Sequence, residues 1–187
     1  MAIQINGNGT ITGISSGGLP AGSVTSATLA AGAGNQITVY DRWRLTSNIT
    51  GAQDPVSSNL TRSIGSGKGS IGSQMQVSSG IWTFPTEGMY KILAHWSLQN
   101  ASGTNSWADM DIFFAQDGTN YNLVARAVDN IPTAGYYAQC ETNVVVDVTN
   151  ASVCKLKFKV NYENNNTLIR GSGVDYTWFD FTRIGDT

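Results

Sequence analysis

From residue 37 onward this chain alternates apolar and polar side chains with a period of two, and few folds accept that pattern. Ile37, Val39, Trp43 and Leu45 alternate with Thr38, Tyr40, Arg42, Arg44 and Thr46, with Asp41 the single break on the apolar face. Tyr90, Ile92, Ala94, Trp96 and Leu98 alternate with Lys91, Leu93, His95, Ser97 and Gln99. The rhythm recurs in Met110, Ile112 and Phe114, and again in Cys154, Leu156, Phe158, Val160 and Tyr162. Successive side chains of a strand point to opposite sides, so each segment predicts a strand with one buried face. Further strands are expected at 75–84, 121–128, 138–148 and 174–184, with a small one near 60–64. One helix is expected, at 26–31, with Thr25 as cap and Gly32 as stop. About eight strands in a domain of this size predict an all-β fold, an antiparallel β-sandwich or jelly roll.

The turns fall into two sets. Short connections occur at 85–88, 117–120 and 149–152, the last read as a hairpin turn. Long ones occur at 47–74, 100–106, 129–137 and 164–173. Consecutive antiparallel strands alternate in direction, so alternate connections share an end of the sandwich. The long loops are therefore expected opposite the entry of the strand at 37–46. Loops held on a rigid scaffold are where recognition usually resides. Five residues there are candidate receptor contacts: Trp107, Tyr136, Tyr137, Asn105 and Arg170. Flat aromatic rings beside amide groups can stack on sugar rings while the amides bond hydroxyls. The competing expectation is that these aromatics begin strands and point into the core or a subunit interface.

Ahead of the alternating region, the first forty residues hold no Asp, Glu, Lys, Arg or His, and the first charge is Asp41. An uncharged segment rich in Gly, Ser and Thr can pack copy against copy without juxtaposing like charges. Residues 1–36 are read as an extended assembly and anchoring segment, with Ile3, Ile5, Ile11, Ile14 and Leu19 as its apolar contacts. Residues 37–187 are read as the sandwich domain. Charged residues make up 13% of the chain, about half of the ~25% usual in a soluble domain. That shortage points to surface buried between subunits. A net charge of −2 disfavours nucleic-acid binding. No apolar run approaches the ~20 residues of a membrane span, and Met1 to Asn6 has neither the basic nor the apolar region of a secretory leader. A soluble protein made in a cytosol is expected.

Catalytic patterns are missing. His95 is the only histidine, so a three-histidine metal site is impossible and a triad would lack partners. The 65–70 stretch, Gly-Ser-Gly-Lys-Gly-Ser, lacks the phosphate-loop glycine at Arg62 and the hydroxyl residue at Gly69. Asp109 and Asp111 could share a strand face, yet no acidic neighbour completes a calcium set, and both are expected to be solvated or interfacial. The Lys155, Lys157, Lys159 stripe is expected on a solvated outer strand face. The Asn-x-Ser/Thr sequons, those starting at Asn48, Asn59, Asn100, Asn150 and Asn165 among them, carry little weight without a secretory signal. Cys140 and Cys154 are expected to be separate buried thiols, because a 149–152 hairpin would set Cys140 opposite residues near Asn161. No catalytic residue, cofactor or metal is expected.

Two resemblances add to these readings. The 80–92 segment, with Phe84-Pro85 and Gly88-Met89-Tyr90 opening a long strand, resembles C1q/TNF-type jelly rolls, and the likeness extends over about 40–184. It implies an eight- or ten-stranded sandwich that forms compact homotrimers with aromatic residues at the three-fold interface. The 9–29 segment is similar to N-terminal segments of virion structural and fibre-like proteins of tailed bacteriophages, notably marine ones, over residues 1–34. It implies a virion component that docks on another virion protein through this segment. Together they imply a non-enzymatic, homotrimeric fibre or tail-associated protein on the virion surface. Its distal loops would meet host cell-surface glycan, with no nucleic-acid partner and no membrane insertion. Capsid decoration by a head-fibre or cement protein, a free glycan-binding lectin-like module and a C1q-like signalling ligand are the alternatives.

Overall fold

The computed structural model describes residues 37–187, together with two short strands in the leader, β1 (Gln4–Ile5) and β2 (Ile11–Thr12). β1 and β2 pair antiparallel, with Ile5 opposite Ile11. Ile3, Ile14, Leu19 and the expected helix at 26–31 lie outside the described residues.

Residues 37–187 form an all-β sandwich, with no helix among the described residues. Its strands are β3 (Val39–Leu45), β4 (Ile49–Thr50), β5 (Leu60–Arg62), β6 (Gln76–Ser78), β7 (Ile81–Thr83) and β8 (Gly88–Asn100). They continue as β9 (Asn105–Ala115), β10 (Asn122–Ile131), β11 (Tyr137–Val148), β12 (Lys155–Tyr162), β13 (Thr167–Ile169) and β14 (Trp178–Gly185). One sheet is built around β8. β11 pairs along one side of it, while β14 pairs with its first half and β13 with its end. β3 then flanks β14, β5 flanks β3 and β4 flanks β13. The second sheet runs β10-β9-β12-β7-β6. All the observed pairings are antiparallel.

The predicted alternation maps onto this sandwich. Tyr90, Ile92, Ala94, Trp96 and Leu98 are fully buried from β8, and Leu156, Phe158 and Val160 face them from β12. Aromatic rings fill the middle. Trp82 lies 4.9 Å from Phe181 and 5.9 Å from Phe158, Phe158 stacks on Phe179 at 4.1 Å, and Trp96 meets Phe179 edge-on at 5.2 Å. Each ring buried there contributes about 1.5–3 kcal/mol by transfer from water.

Asp41, the break in the first alternation, points inward and is 0% exposed. Its carboxylate accepts from Arg62 Nε at 2.9 Å, Trp43 Nε1 at 2.9 Å and the Met75 amide at 3.0 Å. Arg62 lies over the Trp43 ring, which meets Trp82 edge-on. A charge in the apolar stripe is tolerated because three donors satisfy it. The acid also ties β3, β5 and the segment entering β6 together.

Several expectations are corrected. Residues 149–152 do not turn a hairpin: β11 belongs to one sheet and β12 to the other, so the chain crosses the sandwich there. Cys140 and Cys154 are free, but for that different reason, and Cys140 is half-buried. Burial pushes its thiol up to about 12, and its Sγ lies 3.2 Å from Met110 Sδ. The 75–84 strand is two strands, broken at Ser79 and Gly80, both with positive φ; a side chain at Gly80 would collide with Pro55 and the Val56 carbonyl. The 174–184 strand begins only at Trp178. Asp111 is buried rather than solvated, with Arg126 bonding both carboxylate oxygens at 2.6 and 2.8 Å. The lysine stripe is not free of partners either. β12 is an interior strand, and Asp54 pairs with Lys157 at 2.6 Å and Lys159 at 3.2 Å.

Replacing Asp41 by Ala leaves Arg62, Trp43 Nε1 and the Met75 amide without their acceptor. The expected loss is about 3–5 kcal/mol of unfolding free energy in a urea titration. A loss below about 1 kcal/mol would show that the pair is not a keystone of the β3–β5 corner.

Candidate functional site

The connections sort as their parity predicts. β3 runs antiparallel to β14, and β14 antiparallel to β8, with Val39, Arg183 and Tyr90 in one row. The domain therefore begins at the end where β8 begins. The short connections meet at that end: Gln116 O accepts from Cys154 Sγ, and Gln116 Nε2 donates to Thr149 Oγ1 at 3.3 Å. The loops after β8, β10 and β12 meet at the other. Gly135 N donates to Asn100 O at 2.7 Å, Asn100 N to Tyr136 O at 3.1 Å, and Ala101 N to Asn166 O at 3.1 Å.

Two buried amides hold this far end together. Asn100 Nδ2 donates to Ile131 O at 2.8 Å and to Gly103 O at 3.1 Å. Asn105 is 0% exposed; its Oδ1 accepts from the Asn164 amide at 2.8 Å, and its Nδ2 donates to Thr167 Oγ1. Asn105 was a candidate receptor contact on sequence grounds, and burial removes it from that role. Its donors and acceptor already bond the β12–β13 loop. An asparagine between loop residues reads the same in sequence whether it faces a ligand or staples two loops.

The remaining candidates do not all share a surface. Trp107 is half-buried on the outward face of β9, the face that also carries Asp109 and Phe113, in the second sheet, and its carbonyl accepts from the Glu163 amide at 3.3 Å. Tyr136 and Tyr137 are 63% and 57% exposed, so they do not enter the core. Tyr137 starts β11 opposite Gln99, in the first sheet. Arg170 follows β13 and bonds Ser97 O through its amide at 2.8 Å. Its guanidinium carbon lies 4.5 Å from the Tyr137 ring and 3.9 Å from the Tyr176 ring. Tyr176 was not among the candidates, since nothing local marks a tyrosine in the 170–177 loop as adjacent to residue 137. The structure thus brings two of the candidates, Tyr137 and Arg170, into contact and adds Tyr176 beside them.

Along the outward face of the first sheet, below that cluster, runs a mixed aromatic and charged row. His95 stacks on Trp178 at 5.2 Å with ring planes 9° apart, and Arg42 sits 3.9 Å over the same indole. Arg42 grips Asp180 with two bonds of 2.6 Å. His95 Nδ1 lies 3.3 Å from Glu141 Oε1. The Gly-rich 65–70 stretch is a tight turn closed by Gly65 and Lys68. Lys68 reaches Asp175 at 2.9 Å, which leaves this turn without a lysine for phosphate. Burial opposes ionisation of Asp175, but hydrogen bonds from Lys68 and Ser63 and the charges of Lys68 and Arg44 outweigh it. Its carboxyl is held below the ordinary range. Among the described residues, no three potential ligands gather around a metal-sized space, and no helix is long and apolar enough to cross a membrane.

No protein-family model and no curated protein sequence matches this chain. Solved structures do. The crystal structure of murine APRIL at pH 5.0 superposes with a TM-score of 0.57 at 10% identity, covering 78% of this chain and 98% of that one. The structure of Eiger TNF from S. frugiperda gives 0.61 at 6% identity, covering 81% and 96%. At such identities the likeness is one of fold, and the fold is a TNF-like jelly roll.

Two outcomes follow from this geometry. Asn105→Ala lowers unfolding free energy by about 1–3 kcal/mol, the cost of leaving buried loop groups unpaired, whereas Tyr136→Ala changes it by less than about 0.5 kcal/mol; chemical denaturation checks both. Asp175 has a depressed pKa in the folded state, so its contribution is complete above the unfolded carboxylate value of about 4 and is lost as pH falls through the folded value. Asp175→Asn is therefore less stable than the parent at pH 7, with the gap closing below about pH 4 in a series of thermal melts.

Proposed function

We propose that this protein is a non-enzymatic virion structural component of a tailed phage. In this reading a homotrimeric fibre or tail-associated protein projects its jelly roll for attachment to the host surface. The observation that carries the proposal is the polarity of the domain. The chain enters at the end of tight turns, and the opposite end displays loops with two exposed tyrosines. A leader without a single charge, followed by such a domain, suits a protein held at one end and recognising at the other.

Self-association draws support from the outward face of the first sheet. Trp178, His95 and Leu93 are only half-buried there, and Val145 is 47% exposed. Such a row of partly covered aromatic and aliphatic groups fits the trimer that the C1q/TNF resemblance implies, with aromatics at the three-fold interface. The leader, by its resemblance to phage N-terminal segments, would dock on another virion protein, and the far loops would meet cell-surface glycan. Decoration of the capsid by the same trimer is the second reading, favoured by the uncharged leader alone. It separates from the first by location on the particle.

Light scattering of the intact chain should give about 60 kDa, three times the 19.9 kDa monomer. Trp178→Asp should shift it toward one chain by placing a charge on the partly covered face. A 20 kDa parent would remove the trimer. Deletion of 1–34 should abolish incorporation into particles, and particles that still carry the truncated protein would remove the anchoring role.

A further inference from the structure

Six arginines occur in the chain, and five have a carboxylate. Arg42 holds Asp180, Arg44 lies 3.5 Å from Asp175, Arg62 holds Asp41, Arg126 holds Asp111, and Arg183 is paired with Asp186. Arg170 is different. Among the described residues no carboxylate lies within ion-pair distance of it. Its side chain makes one long hydrogen bond, from Nη1 to Ser97 Oγ at 3.4 Å. What fixes it is aromatic: the rings of Tyr137 and Tyr176, with the Arg170 main chain anchored on Ser97 O. Ser97 beneath it is fully buried.

A guanidinium carries five N–H donors in a planar fork that matches a carboxylate, and ring contacts leave that demand for an anion unmet. Cation–π contact orients the group and lowers the entropy lost when an anion arrives. The surroundings indicate what carries the anion. Tyr137, in ring contact with the guanidinium, is still 57% exposed. Gln139, cross-strand neighbour of Ser97, stands exposed on the same sheet face. Glu141, one row further, turns toward His95 and so does not occupy the site. A fork for a carboxylate, aromatic faces for an apolar ring surface and an amide for hydroxyls together describe a carboxylated sugar.

We infer that Arg170, Tyr137, Tyr176 and Gln139 form a binding site for an acidic sugar residue of a surface polysaccharide, a uronic or nonulosonic acid whose carboxylate Arg170 takes. This rests on the attachment reading above and sharpens it to one chemical class of ligand.

The test uses the full chain in calorimetry against uronic-acid and nonulosonic-acid oligosaccharides, their carboxyl-reduced counterparts and a set of neutral oligosaccharides. The acidic forms should bind on the order of tenfold tighter than the reduced ones, and the preference should weaken as salt is raised. Arg170→Gln should abolish the preference and Arg170→Lys should keep part of it, with melting temperatures matching the parent to establish folding. Tyr137→Ala should weaken both acidic and reduced forms. Equal binding of acidic and reduced forms, or an unchanged preference in Arg170→Gln, overturns the acidic-sugar site while leaving glycan attachment standing. Binding of neutral oligosaccharides only has the same meaning. Absence of binding to every oligosaccharide overturns both. A fall in oligomeric mass for Arg170→Gln overturns the site too, since the fork would then serve a second copy of the chain.

Discussion

The contact between two aromatic-lined sheets is what the remainder of this structure depends on. Trp82 and Phe158 from one sheet interlock with Trp96, Phe179 and Phe181 from the other, and none of these rings reaches solvent. Rings prefer offset and edge-to-face contact, and each such pair adds about 0.5–1.5 kcal/mol beyond its buried area. Interlocked rings also set the spacing and rotation of the layers. With the layers fixed, the strand ends are fixed, and so are the positions from which every loop departs.

The polar groups then divide by place. Near the core, charges are allowed only where their bonds are complete, as at Asp41 with Arg62 and Asp111 with Arg126. These pairs bind neighbouring strands or segments to each other, and their geometry leaves no capacity for a ligand. At the far end, the buried amides of Asn100 and Asn105 do by hydrogen bonding what the aromatic core does by packing, holding three loops in one arrangement. That rigidity is what makes Tyr136 and Tyr137 notable. Large rings exposed on ordered backbone present a surface at little entropic cost, which is useful for recognition and wasteful otherwise. Arg170 is a counterpart in charge, ordered with no carboxylate beside it among the described residues, while every other arginine has one.

A TNF-like jelly roll by itself says little about activity, since one fold serves many purposes. The functional reading therefore leans on features particular to this chain: an uncharged leader, a domain with distinct ends, and a loop-end cluster of rings and guanidinium. Further along the same sheet face, Trp178 and His95 stack on each other among Arg42, Asp180 and Glu141, and this row is the surface proposed for self-association.

Much of this was legible beforehand. Period-two alternation gave the strands and their buried faces, because side-chain direction in a strand is a local property of the backbone. Loop lengths gave the two ends, because antiparallel neighbours must alternate in direction whichever sheet they join. Tyr137 and Arg170 were legible as surface candidates by residue type alone. What tertiary structure decided was partnership. Only the assembled sheets show that β11 crosses to β12 rather than turning back on it, that Asn105 is buried under its neighbouring loop, that Trp107 belongs to the opposite layer, and that Tyr176 joins residue 137 across the chain. Strand pairing and ion pairing are chosen among distant segments by the packing of the whole, and no window of sequence contains that competition.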